Sequence, residues 1–293
     1  VTAVLVVGDV VTDVLVLPTG PLRPGSDTNA AIRLAGGGQA ANTAAWLATA
    51  GADVTFACRI GDDPAGHGLL AELRAGGVHL AATVDPDATT GTVVVLVDPG
   101  GERTMLPDRG ANDRLTVADV DAALDRGPAH LHLSGYTLLG AGSHLAARHA
   151  LAAARARGLR TSVDVASGAL LADTGPERVL GWLAGAVDLV LANADEAAVL
   201  TGHADPSAAA LALAGPDRAA VVKRGAGGAV WAEGGEVVSV PAPPVAVVDT
   251  TGAGDAFAAG LLAALVSGAG PVDALHAGVL LGSRVAARSG ARP

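Results

Sequence analysis

From Val117 onward, short apolar runs alternate with longer segments of helical character, and few folds accommodate that pattern. The strand-like runs are 129–133, 160–164, 187–191 and 219–223, followed by a β pair at 228–232 and 236–240. Helical stretches lie near 117–125, 143–157, 176–185, 194–201, 206–214, 254–266 and 271–287. Strands that are apolar throughout must be covered on both faces, as in a parallel sheet between two helical layers. The expectation is therefore an α/β three-layer sandwich with a mostly parallel central sheet. Val4–Val7 and Val54–Ile60 read as further strands, the latter followed by a helix from Pro64 to about Ala75 with proline in its first turn.

The N-terminal part carries a second pattern. Strand-like runs near 10–17, 29–35, 92–97 and 103–107, the last two flanking an Asp98-Pro-Gly-Gly101 hairpin turn, predict a small sheet separate from the parallel core. One domain over 1–293 is expected to contain both.

Composition narrows the function. The net charge of −10 argues against a nucleic-acid binder, which would show a basic face. Aromatic residues are 2% of the chain although half of it is hydrophobic, so Ala, Val and Leu must build the core. The single cysteine, Cys58, excludes an internal disulfide and a cysteine-rich zinc site, and its apolar surroundings read as core. No apolar run approaches bilayer length, and a strand beginning at Ala3 predicts no signal peptide and a cytoplasmic protein.

Chemistry concentrates in Asp249-Thr-Thr-Gly-Ala-Gly-Asp255-Ala-Phe-Ala-Ala-Gly260. It follows a β-type run, Val245–Asp249, and opens a helix reaching about Val266. A helix start leaves its first N–H groups without intrahelical acceptors and carries partial positive charge. Gly252, Ala253 and Gly254 let an anion approach that backbone. A carboxylate at Asp255 would repel a phosphate there unless it takes a proton from whatever attacks the phosphate. An ordinary βα turn capped by Asp is the plainer alternative.

This stretch resembles the C-terminal signature of the ribokinase-like (PfkB-type) carbohydrate kinases. Other segments follow the same family in order. Gly37-Gly38 followed by Asn42 is similar to its sugar site, in which Asp13 would also contact hydroxyls. As Gly36-x-Gly38-x-x-Ala41 the same run could be a dinucleotide fingerprint, but no long strand precedes it in a tight βαβ unit. Asn193-Ala-Asp-Glu196 resembles the motif that organises Mg²⁺ and phosphates, and equally reads as a capping box. Lys223-Arg-Gly225-Ala-Gly-Gly228 resembles the nucleotide-side loop; Lys223, the only lysine, could meet phosphate or simply end its strand. No Gly-x-x-x-x-Gly-Lys-Ser/Thr occurs, so P-loop kinases are excluded.

The resemblance implies transfer of the γ-phosphoryl group of ATP to a primary hydroxyl, with Asp255 as base. Backbone N–H groups of Gly252, Ala253 and Gly254 would hold developing charge, with Mg²⁺ near Asn193 and Glu196. The small sheet would be a lid over the sugar, and pairing of its exposed edge would give a homodimer. A monovalent cation such as K⁺ would use the loop of Asp249 and Thr251 with Ser289-Gly290. Substrate identity stays open. Members acting on ribose carry lysine where this chain has Gln39, and an acidic residue where it has Ser134-Gly-Tyr136. Tyr136 could stack on a nucleoside base or line a wall, and Arg109 could bind a keto-deoxy-sugar acid or a surface carboxylate. A catalytically silent sugar or nucleoside sensor is the non-enzyme alternative. His130 and His132 share a strand face, a spacing that metals use, but no third ligand accompanies them.

Overall fold

A computed structural model of the chain describes residues 3–98, 100 and 102–293. The central sheet has nine strands in the order β13-β12-β11-β10-β9-β8-β1-β4-β5. Its members are β1 (Ala3–Val7), β4 (Asp53–Gly61), β5 (His79–Asp85), β8 (His130–Ser134), β9 (Arg160–Asp164), β10 (Leu189–Asn193), β11 (Ala219–Lys223), β12 (Ala229–Glu233) and β13 (Glu236–Val240). All pairings from β11 to β5 are parallel, and β12 and β13 extend the edge as antiparallel hairpin strands.

Helices cover both faces. On one side lie α1 (Gln39–Thr49), α2 (Pro64–Ala75), α10 (Ala253–Val266) and α11 (Pro271–Ala286). On the other lie α3 (Val117–Leu124), α4 (Gly135–Leu139), α5 (His144–Ala156), α6 (Gly168–Thr174), α7 (Pro176–Leu183), α8 (Ala194–Thr201) and α9 (Pro206–Leu213). The two hydrophobic clusters are mainly Ala, Val and Leu. In β1 the side chains alternate between them, Val4 and Val6 to one cluster and Leu5 and Val7 to the other, so the strand reads as continuously apolar.

A separate four-stranded sheet has the order β3-β2-β6-β7, with β2 (Val11–Pro18), β3 (Ala30–Gly37), β6 (Gly91–Val97) and β7 (Arg103–Asp108). Its strands alternate strictly: one face carries Asp13, Leu15, Arg33, Val95 and Arg103, the other Val14, Ile32, Leu34, Val94 and Leu106. Asp98 and Glu102 close the β6–β7 connection by a backbone bond of 2.9 Å. The expected hairpin turn falls partly on Pro99 and Gly101, which lie outside the described residues.

One expectation of the fold needs correction. Val245–Asp249 is not a strand; Val247 and Val248 are exposed, and the N–H groups of Val248 and Asp249 both donate to the Ala286 carbonyl at the end of α11. β-propensity was high there, but the segment pairs with no strand and is held to the end of α11 instead. Conversely, β5 shows no strong apolar run, because it is an edge strand with a half-exposed face.

Candidate active site

Parallel strands deliver their C-terminal residues to one edge of a sheet, the usual place for a ligand in such folds. Here Asp9, just past β1, joins Ser134, Asp164, Asn193 and Lys223, the last residues of β8, β9, β10 and β11. Register enforces the neighbourhood, with Ser134 opposite Asp164 and Asn193 opposite Lys223. The small sheet contributes Asp13 from above, and α1 and α10 bring Asn42 and Asp255.

Helix α10 opens at Gly252, whose φ of 75° and lack of Cβ let it lie against Ala291, where a methyl would come within 2.5 Å of the carbonyl oxygen. No side chain caps this helix start. The Ala253 N–H bonds the Thr250 carbonyl at 3.2 Å, which corrects its expected place among the anion donors. Gly254 and Asp255, as second and third residues of the helix, have N–H groups with no intrahelical acceptor.

Asp255 sits in the first turn of α10, partly exposed at the cleft surface while its carboxyl is surrounded by protein. That desolvation pushes its pKa up to about 7; the Asn42 hydrogen bond and Lys223 pull it down, and Asp164 and Asp9 add to the rise. Asn42 Nδ2 donates to Asp255 Oδ2 at 2.8 Å. This is a carboxylate poised to accept a proton near neutrality.

The glycine pair has separate tasks. Gly38 starts α1 with φ 101°, and a Cβ there would lie 2.5 Å from the Asp9 carbonyl oxygen, so only glycine permits the chain to pass. A Cβ on Gly37 would overlap the carboxyl group of Asp13. Asp13 is itself desolvated to a pKa of about 6, lowered in part by Arg292 and raised by Asp9. Asp13, Gly37, Gly38, Asn42 and Asp255 therefore form one cluster.

Asp9, which no motif marked, is buried and caps α1, accepting from the Gln39 and Ala40 N–H groups at 3.2 and 3.4 Å and from Ser134 Oγ at 2.8 Å. Gln39 is occupied with Ser134 Oγ at 2.7 Å and the Gly135 N–H at 3.2 Å. Arg109 lies over the Tyr136 ring, 4.1 Å from its centroid, and 3.9 Å from Asp9. One ring face of Tyr136 is thus taken by a guanidinium.

Asn193 and Glu196 form a full capping box, each side-chain oxygen accepting the other's backbone N–H at 2.8 Å. Burial raises Glu196 to a pKa of about 7, with Lys223 opposing and Asp164 reinforcing the rise. A buried carboxylate at this edge of the sheet, bonded by the Asn193 N–H and close to that of Ser167, is a donor a hydrated divalent cation would match. Among the described residues no three His, Cys, Asp or Glu side chains converge on one point, so such an ion would take most of its ligands from phosphate and water. Lys223 is partly buried, with Nζ 2.7 and 2.8 Å from the two oxygens of Asp164 and close to Gly254. Gly225 faces open space, whereas Gly228 lies tight against the Val240 carbonyl, a packing role.

The monovalent-cation expectation is corrected. Asp249 accepts from Arg103 Nη2 at 2.7 Å, and Arg103 Nη1 donates to Thr251 Oγ1. A guanidinium from β7 occupies the oxygens that would hold K⁺, so the residues as arranged do not fit that ion. His130 and His132 share a different fate: both pair with Ser162 Oγ at 2.8 Å, and burial holds their pKa values near 4 and 3, so they are neutral core groups.

A desolvated carboxylate at an uncapped helix start, at the C-terminal edge of a parallel sheet and beside a separate small sheet, is the arrangement expected of a carbohydrate kinase. The family model for pfkB family carbohydrate kinases matches residues 1–293, and the chain belongs to that family. It is 30% identical to mouse ribokinase over 270 residues, 88% of this chain and 80% of that protein. It is 33% identical to the 2-dehydro-3-deoxygluconokinase of Thermoproteus tenax over 252 residues, 83% of this chain and 76% of that one. The adenosine kinase of Sinorhizobium meliloti superposes with a TM-score of 0.88 at 28% identity, covering 100% of this chain and 96% of that chain.

Proposed function

We propose that this sugar kinase transfers the γ-phosphoryl group of ATP to a primary hydroxyl of a monosaccharide or sugar acid, with Asp255 as general base. The observation that carries this reading is the Asp255 carboxylate, raised to about 7 and hydrogen-bonded to Asn42 at the uncapped start of α10. Asp13 and the Gly37-Gly38 backbone receive substrate hydroxyls, and Asn42, with both donor and acceptor atoms, suits them. As the hydroxyl oxygen forms its bond to phosphorus, Asp255 accepts the proton and ADP departs. The N–H groups of Gly254 and Asp255, with Gly252 at the turn, face the transferring group and stabilise its charge. Mg²⁺ beside Asn193 and Glu196 would neutralise phosphate oxygens. Lys223 adds a fixed positive charge on the same side, and the loop Gly225–Gly228 flanks the nucleotide.

The small sheet serves as a lid over the substrate. Its outer face is apolar, with Ile32, Leu34 and Leu106 exposed by 62%, 71% and 55%, and two copies packing these faces would give a homodimer. The reading places the enzyme in the cytoplasm, where ATP is plentiful.

The relatives' names span ribose, 2-dehydro-3-deoxygluconate and adenosine. The Arg109–Tyr136 stack favours a carboxylate-bearing or hydroxyl-rich sugar over a nucleoside, because one face of the ring already carries a cation that suits an anionic or hydroxyl partner. An ADP-release assay over pentoses, hexoses, keto-deoxy-sugar acids and nucleosides tests both levels. Turnover of nucleosides alone would overturn the substrate reading; near-normal turnover by Asp255→Asn would overturn the mechanism.

A further inference from the structure

The carboxylate of Asp255 is aimed by an amide that is itself aimed. An asparagine side chain has one end that accepts and one that donates, and its partners settle which way it points. Asn42 Nδ2 donates to Asp255 Oδ2 at 2.8 Å, while Asn42 Oδ1 accepts from Arg292 Nε at 3.0 Å. A guanidinium only donates, so it selects Oδ1 and leaves the NH₂ group for the carboxylate. The flipped amide would set oxygen against carboxylate and NH₂ against guanidinium, two repulsive contacts in place of two attractive ones.

Arg292 is built into this position. Its side chain is 7% exposed, Nη2 donates to the Gly37 carbonyl at 2.7 Å, and Nη1 reaches Glu72 at 3.2 Å. The guanidinium thus ties α1, the end of β3 and α2 together. Its backbone is pinned as well: the Arg292 carbonyl accepts from Arg288, and the neighbouring Ala291 carbonyl accepts from Trp46 Nε1 at 2.8 Å.

We propose that Arg292 is a positioning residue for phosphoryl transfer: by fixing the Asn42 amide it keeps a donor, and never an acceptor, on the catalytic carboxylate. The proposal rests on the reading of Asp255 as base. The other charged groups facing Asp255 are Asp164 from β9, Lys223 from β11 and Asp9 beyond β1, and none of them contacts the Asn42 oxygen.

The test compares Arg292→Met, which removes the donors, with Arg292→Lys, which keeps a donating cation, and Glu72→Gln, which breaks only the outer ion pair. Melting curves and calorimetric ATP binding establish that each variant is folded. For Arg292→Met, kcat is expected to fall by about tenfold or more, a fraction of what a general base supplies, with KM for ATP little changed. The acid limb of its kcat–pH profile moves to higher pH, because a free Asn42 no longer favours the ionised carboxylate, and separate ¹³C carboxyl titrations of Asp255 and Asp13 keep this apart from the rise that Asp13 also undergoes on losing the Arg292 charge. Arg292→Lys returns the limb toward wild type, and Glu72→Gln leaves it in place even where it lowers Tm. An unshifted limb in Arg292→Met, or an equal shift in Glu72→Gln, overturns the proposal and leaves Arg292 a packing residue. Should Arg292→Met not fold, the wild-type side-chain amide resonances of Asn42 decide: they titrate together with Asp255 on this proposal, and their indifference to pH between 5 and 9 overturns it. Persistent turnover in Asp255→Asn would instead remove the base assignment itself, a separate failure.

Discussion

The ammonium of Lys223 lies 2.7 and 2.8 Å from the two oxygens of Asp164, at the ends of adjacent-but-one strands, with the lysine side chain 14% exposed and the carboxylate 1%. Burial raises Asp164 on balance while the ammonium opposes the rise, and Asp164 in turn raises Lys223 through two short charge-assisted bonds. Removing one partner strands the other charge. Lys223→Met should therefore destabilise the fold by roughly 3–5 kcal/mol, whereas exchanging both partners for apolar residues should cost much less. Urea unfolding of the single and double variants measures the difference, and ATP affinity should fall in both because the cation beside α10 is gone.

Asp255 supplies a pH prediction with a definite sign. Its folded pKa of about 7 lies above the ordinary carboxylate value, so the folded state retains a proton that the unfolded chain releases. With Asp255 as the proposed base, activity needs the ionised form, and kcat/KM should rise with pH through about 7. Stability runs the other way: Asp255 costs nothing below pH 4 and becomes increasingly unfavourable up to pH 7. Asp255→Asn should consequently melt higher than wild type at pH 8, with the gap narrowing as pH falls toward 4, while losing about 10²–10⁴ in turnover. A scan of Tm against pH for both proteins checks the crossing trends.

The Arg103 bridge predicts how the small sheet communicates with the loop before α10. Arg103 is partly exposed, so its pairing with Asp249 should be worth about 1 kcal/mol or less. Arg103→Gln is expected to raise KM for the sugar up to about fivefold. Asp249 and Thr251 would then be free, and K⁺ should stimulate the variant while leaving wild type unchanged. Initial rates in sodium and potassium buffers of equal ionic strength decide this.

Gly38→Ala tests the approach of α1 to Asp9. The φ of 101° and the 2.5 Å approach to a backbone oxygen offer a methyl no room, and neither neighbour is a flexible side-chain end. A loss of about 1–3 kcal/mol in stability is expected from the strained backbone alone, together with impaired sugar binding because Gly37 and Asp13 shift with it. Denaturant melts and a substrate titration separate the two effects.

The layered architecture was readable because apolar strands and intervening helices leave a periodic record that depends on neighbours only weakly. Val190 and Leu191 look like a buried strand whatever lies beside them. The uncapped start of α10, with Asp255 in its first turn, was readable for a related reason: a helix start with consecutive small residues is local chemistry. What escaped was non-local. Whether Asn193 and Glu196 turn toward each other or toward an ion depends on geometry that both readings share, and the structure shows the mutual pairing. Val245–Asp249 had the residues of a strand without a partner to pair with. Asp9 and Arg292 carry no motif, since capping α1 from beyond β1 and bracing Asn42 across 250 positions leave no spacing to read.

The tether of Val248 and Asp249 to the Ala286 carbonyl, with Gly252 resting on Ala291 and Trp46 bonding it, has a consequence for biosynthesis. The loop before α10 is shaped by residues that leave the ribosome some 40 positions after it. The parallel sheet can assemble strand by strand while synthesis continues, but the loop acquires its form only when the segment from Ala286 to Arg292 is free to fold back. A nascent chain stalled before that point would hold a nearly finished sheet without a working catalytic turn.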